Sequence, residues 1–134
     1  MMGIIILMSM VVCGTLYLNI LSFFPLYVSK RFDGAIPTQT IAFMLCSFNA
    51  AGVLFSPCHY YFIGKYGRKN SLMLGFFLLF ISQFALGIFA DVPDNYPLHF
   101  VLVNAISRFV QGWGDSLAMA SSMSLISHNF PDDH

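Results

Sequence analysis

Residues 70–90 read NSLMLGFFLLFISQFALGIFA and contain no Asp, Glu, Lys or Arg. A helix needs ~20 apolar residues to cross the hydrocarbon of a bilayer, and this run is long enough. Outward from it, residues 34–64 and residues 1–29 are equally free of charge. Three membrane spans follow from those gaps. The stretch from Leu98 to Ser127 is apolar and rich in small residues but holds Arg108 and Asp115 in its interior. It reads as a fourth span that carries function. The spans are about 4–27, 40–63, 72–90 and 98–127, and the short loops between them make consecutive helices antiparallel neighbours. The expected fold class is an all-α membrane protein of four antiparallel transmembrane helices.

Composition supports the same solvent. Of 134 residues, 57% are hydrophobic and only 9% are charged, where soluble domains carry ~25% charged residues. Disorder is excluded, because it requires low hydrophobicity and high net charge. A formal charge of zero argues against a nucleic-acid partner. The first apolar run is longer than the ~7–15-residue core of a signal peptide and lacks a basic leader, so it reads as a retained helix. Pro25 is expected to end or kink the first span, Pro37-Thr38 to start the second, and Ser56-Pro57 to interrupt it.

Basic residues of short loops set orientation. Lys65, Arg68 and Lys69 lie between spans two and three, Lys30 and Arg31 between one and two, and the Asp91–His99 loop carries acids only. The expected topology therefore places the N-terminus and the Gly64–Asn70 loop in the cytoplasm. Cys13, Cys46 and Cys58 all fall inside spans, and an odd set at lipid depth is no disulfide framework.

Enzyme chemistry finds no footing. His59, His99, His128 and His134 are scattered without metal-ligand spacing, and there is no Cys-x-x-Cys. No cofactor and no enzymatic activity are expected. Gly112 and Gly114 do not follow a strand, so they read as points of close helix packing and not as a phosphate cradle. Gly14, Gly52, Gly75 and Gly87 read the same way. Asn19, Asn49 and Gln83 are of the type that bonds across helix interfaces, with Asn19 also a candidate for the solute pathway. His59 is expected at the membrane–water interface.

Arg108 stands apart. A cation at the centre of a span costs about 2.5–3.5 kcal/mol on insertion scales, so it should face the bundle interior. Arg108, Gln111, Gly112 and Asp115 recur at helical spacing and form one polar stripe on a single face. Helical side chains lean toward the N-terminus, so Arg108 leans away from Asp115 while Asp115 leans toward Gln111. The competing reading is that Arg108 snorkels out to the interface.

Two motifs are similar to those of a known family. Ser56-Pro57-Cys58-His59-Tyr60-Tyr61-Phe62-Ile63-Gly64-Lys65-Tyr66-Gly67-Arg68-Lys69 resembles the signature between helices two and three of the major facilitator superfamily, which ends in Asp-Arg-x-Gly-Arg-Arg/Lys. Arg108-Phe109-Val110-Gln111-Gly112-Trp113-Gly114 resembles that family's helix-four signature, Arg-x-x-Gln-Gly-x-Gly. The two stand one helix-loop-helix apart, in the family's order. Phe130-Pro131-Asp132-Asp133-His134 is similar to the loop after helix four. Phe23-Phe24-Pro25 is similar to the end of helix one in the vesicular amine and polyamine transporter-like, drug:proton antiporter branch. Where the family has glycine and aspartate, this sequence has Tyr60 and Gly64, so the acidic half of the usual gate is missing.

The resemblance implies a secondary transporter working by alternating access between two six-helix halves, often coupled to protons. It covers helices one to four of twelve, so residues 1–134 are expected to be part of an N-terminal half that does not transport alone. Arg108, Gln111, Asp115 and Asn19 then belong to the substrate or proton pathway, and Lys65, Gly67, Arg68 and Lys69 to a cytoplasmic gate. The expected partners are protons, the lipid bilayer and a small organic solute such as a polyamine, monoamine or drug-like cation. Asp115 would serve as the carboxylate for that cation or for the proton, the competing reading being a helix-packing carboxylate bonded to a neighbouring span. A plasma-membrane and a vesicle protein would carry the same spans. The alternative reading is a four-span structural or regulatory membrane protein that transports nothing.

Overall fold

The computed structural model describes residues 2–32, 36–89 and 97–129. Those residues form four helices: α1 (Met2–Arg31), α2 (Thr38–Tyr66), α3 (Arg68–Phe89) and α4 (Pro97–Asn129). The hub is α4, which packs along both α2 and α3, while α1 meets α2 and α4 more sparsely. The α1 contact gathers Phe24, Val28 and Phe32 from the end of α1, Ile36, Ile41 and Met44 around the start of α2, and Phe100 from the start of α4. These seven side chains close one end of the bundle.

Of the expectations about proline, the ending of the first span and the interruption of the second are corrected. Pro25 does not end α1, which continues to Arg31, and Pro57 does not break α2, which continues to Tyr66. A proline inside a helix deletes one backbone bond, yet packed neighbours and local adjustment make that tolerable in membrane helices. Pro37 behaves as expected and immediately precedes α2 in extended conformation, with φ −64° and ψ 146°. Lys30 and Arg31, placed in a loop by their charge, form the last turn of α1, where the helix dipole favours cations. The Arg31 guanidinium covers the rings of Tyr27, Phe32 and Phe100 at 5.6, 5.6 and 5.8 Å.

The Gly64–Asn70 loop is also corrected, because only Gly67 stands between α2 and α3. Its φ of 83° and ψ of 155° lie in a region essentially confined to glycine. The reversal is closed on both sides: Gly67 N–H donates to the Ile63 carbonyl at 3.1 Å, and Ser71 N–H donates to the Gly67 carbonyl at 3.0 Å. The Ser71 hydroxyl reaches back across the turn to the Phe62 carbonyl at 3.3 Å. Nothing lies within 4 Å of a Cβ built on Gly67, so the requirement for glycine is a backbone requirement alone. Gly67→Ala is expected to cost about 1–3 kcal/mol, read as a lower melting temperature in detergent; an unchanged melt would show the turn relaxing to another conformation.

Polarity is distributed inside out. Phe43, Val53, Phe80 and Phe84 are each more than 60% exposed, whereas Ser71, Ser82, Asn104, Ser107, Arg108, Gln111, Ser121 and Ser122 are buried. Water would favour the reverse arrangement. Lipid favours this one, since small and polar residues hold helices together where burial from water supplies no drive. By length and composition, α2 and the part of α3 from Arg68 to Ile88 are each able to cross a bilayer.

Candidate functional site

The site is organised by the Gly112-Trp113-Gly114 segment of α4. Successive helix residues turn by ~100°, so the two glycines point to nearly opposite sides. Gly112 faces α2: a Cβ there would lie 2.8 Å from the Phe48 carbonyl carbon and overlap its oxygen. Gly114 faces α3, where a Cβ would come within 2.9 Å of both the Gly75 carbonyl oxygen and Leu78 Cβ. Gly75 returns the contact, with Ala118 N and the Gly114 carbonyl oxygen at 2.9 Å from a built Cβ. One missing Cβ on each side lets α4 be clamped by two backbones. Trp113, between them, stacks on Phe55 at 4.6 Å and meets Phe62 edge-on at 6.2 Å.

That clamp fixes the direction of the polar stripe. Arg108 and Gln111 are 2% and 1% exposed, so Arg108 does not snorkel out. Gln111 leans back one turn, and its Oε1 accepts a hydrogen bond from Arg108 Nη1 at 3.0 Å. The guanidinium carbon lies 5.5 Å from the centroid of the Phe24 ring of α1, and Phe24 is in turn nearly parallel to Phe100 at 6.3 Å. An arginine at this depth is thus held by an amide on its own helix and by an aromatic face from a neighbour, a stacking geometry that suits guanidinium better than ammonium. Gly112 is buried and Asp115 half-buried further along the same face. The Asn19 side chain lies outside the described residues.

At the other end, Lys65 Nζ donates to the Tyr61 hydroxyl at 3.4 Å and lies 5.5 and 5.6 Å from the Tyr61 and Tyr66 ring centroids. Arg68 is half-buried and Lys69 exposed, so the turn presents its cations beside Gly67.

Sequence reasoning missed the polar bridges that the bundle makes. Asn49 is exposed, and Gln83 Nε2 is buried with no hydrogen-bond partner among the described residues. The bridges to α4 come instead from Ser47, whose hydroxyl donates to the Ala105 carbonyl at 3.3 Å, and from His59, whose Nε2 lies 3.3 Å from Ser116 Oγ. His59 is 5% exposed and turned into the α2–α4 contact, not out to an interface. The signal was present: His59 lies seven residues from Gly52 and eleven from Phe48, the α2 face that meets α4.

Among the described residues no three His, Cys, Asp or Glu come together as a metal site. Residues 4–134 match the sequence model of the Major Facilitator Superfamily. The chain belongs to that superfamily. Neither a curated protein nor a solved structure matches it. Members of the major facilitator superfamily move small solutes across membranes, and with two helices of membrane-crossing length and composition this is an integral membrane protein. In this major facilitator chain the signature Arg108, Gln111, Gly112 and Gly114 occupy one helix clamped between two others.

Proposed function

We propose that the protein takes part in secondary active transport of a small organic cation driven by protons, with all four helices spanning the membrane and Arg108, Gln111 and Asp115 lining the route. Family membership supports the transport class. The observation that carries the residue assignment is the burial of Arg108 against Gln111 and Phe24. A retained cation at bilayer depth marks a solute or ion pathway unless it is merely a packing device. Arg108 cannot release its proton, so its role is to hold fixed positive charge. Asn19 belongs to the same route as a proposal from the sequence.

Asp115 is the acid of this stripe, and a carboxylate is the side chain that recognises an organic cation or carries a proton. The resemblance of Phe23-Phe24-Pro25 to the end of helix one in the amine and polyamine antiporter branch is what suggests an amine, and Phe24 is the ring that covers Arg108. Lys65, Gly67, Arg68 and Lys69 form a cytoplasmic gate around the single-residue turn, with the N-terminus on the same side. Asp115→Asn in the intact carrier is expected to lower proton-driven uptake of amines by at least about tenfold, the equivalent of one charge-assisted hydrogen bond of ~1.5 kcal/mol or more. A proteoliposome screen of amines under a pH gradient measures this. Uptake and pH dependence equal to those of the unaltered carrier would remove Asp115 from the route.

A further inference from the structure

Two ionisable side chains among the described residues are more than nine-tenths buried, Arg108 and His59. Arginine keeps its proton at any physiological pH. His59 is therefore the buried side chain that can exchange one, since histidine changes charge between about pH 5 and 8 in the absence of perturbation.

Its surroundings assign the tautomer. The Ser116 hydroxyl has one hydrogen and two acceptors on its own helix, the Gly112 carbonyl at 2.8 Å and the Trp113 carbonyl at 3.1 Å. With that hydrogen donated along α4, the oxygen faces His59 Nε2 at 3.3 Å as an acceptor. In that arrangement Nε2 carries the N–H, which leaves the basic lone pair on Nδ1. Gly52 of α2 lies opposite Ser116 at the crossing, where a Cβ built on it would stand 3.8 Å from Ser116 Cβ. The charged groups on the surrounding elements are Asp115 and Arg108 on α4, Lys65 on α2, and Arg68 and Lys69 at the start of α3. On α1, Arg31 lies at the opposite end of the bundle against Phe100, with Lys30 beside it.

We propose that His59 is a proton-binding site at the α2–α4 crossing, with Nδ1 as the acceptor and Ser116 as the residue that sets its tautomer. The proton comes from water on one side of the membrane, bonds to Nδ1 to give the imidazolium, and returns to water when Nδ1 is released. Nε2–H donates to Ser116 in both states, so the helix contact survives the charge change. In transport this site rests on the proton-coupled reading above, where it supplies a titrating group at an end whose gate has Gly64 in place of an acid.

The test is nuclear magnetic resonance of the intact carrier in nanodiscs with 15N-labelled histidine, the His59 signal being the one lost in His59→Gln. At alkaline pH it should show a protonated Nε2 and a bare Nδ1, and on acidification a protonated Nδ1 as well while the protein is still folded. In Ser116→Ala the Nδ1–H tautomer should become populated. A signal that stays neutral until the protein unfolds in acid, an Nδ1–H tautomer in the unaltered protein, or a tautomer indifferent to Ser116→Ala each overturns the assignment. Uptake separates this from the transport reading. His59→Gln should lose about tenfold in proton-driven uptake while retaining solute exchange without a gradient, and equal loss of both would overturn the coupling role. If the unaltered carrier moves no solute, the transport reading fails and the resonance result still decides the proton site.

Discussion

Gly112→Ala should give the largest loss of stability of any single methyl addition in the bundle. The added carbon would fall on the Phe48 carbonyl, and both partners are helix backbone. A side chain in the way could change rotamer; a carbonyl in the middle of α2 can yield only if the two helices separate. Separation would also loosen the Ser116–His59 bridge and the Trp113–Phe55 stack that lie along the same crossing. Overpacking typically costs about 1–3 kcal/mol, and the rigidity of this contact places Gly112→Ala at about 3 kcal/mol. Gly87→Ala is the matched control, because nothing lies within 4 Å of its Cβ, and replacing a helical glycine there should stabilise by up to about 1 kcal/mol. Thermal melting of a fluorescent fusion in detergent reads both variants. If Gly112→Ala melts with the unaltered protein, the crossing is looser than the geometry requires.

The second large effect is expected at Arg108, and it is functional. Leucine there removes a buried cation whose insertion costs about 2.5–3.5 kcal/mol, so Arg108→Leu should reach the membrane at least as well as the original. Transport should nonetheless fall by about ten- to a hundredfold, the range that corresponds to losing a charged hydrogen bond of ~1.5–3 kcal/mol. Arg108→Lys restores the charge but not the guanidinium over the Phe24 ring, nor the directed bond from Nη1 to Gln111. Its uptake should therefore fall between the two. Surface expression and initial uptake rates, measured on the same cells, separate insertion from function. Arg108→Leu transporting at the original rate would leave the arginine as packing only.

Helix number and type were legible because charge is expensive in hydrocarbon: gaps between charged residues mark where helices lie without reference to contacts. The helix-four motif was legible too, since Arg108, Gln111 and Asp115 share a face by spacing alone. Helix ends were less so. The cations at 65, 68 and 69 were read as a loop, yet a helix can carry charge beyond the hydrocarbon, and one glycine in a conformation closed to other residues makes the whole reversal. The prolines misled for a related reason, because the cost of a missing backbone bond depends on neighbours that the local sequence does not contain.

His59 illustrates the remaining gap. Its spacing from Gly52 puts it on the helix face of a close-approach glycine, but that this face meets Ser116, fifty-seven positions away, is a fact of the tertiary contact. The sequence by itself determined four helices and the polar face of the fourth, because lipid and helical periodicity act on each segment separately. Only the tertiary structure decided that α4 is the clamped centre, that Phe24 covers Arg108 and that His59 turns inward. Those outcomes depend on which backbones approach closely enough to touch, and close approach is a property of pairs of helices.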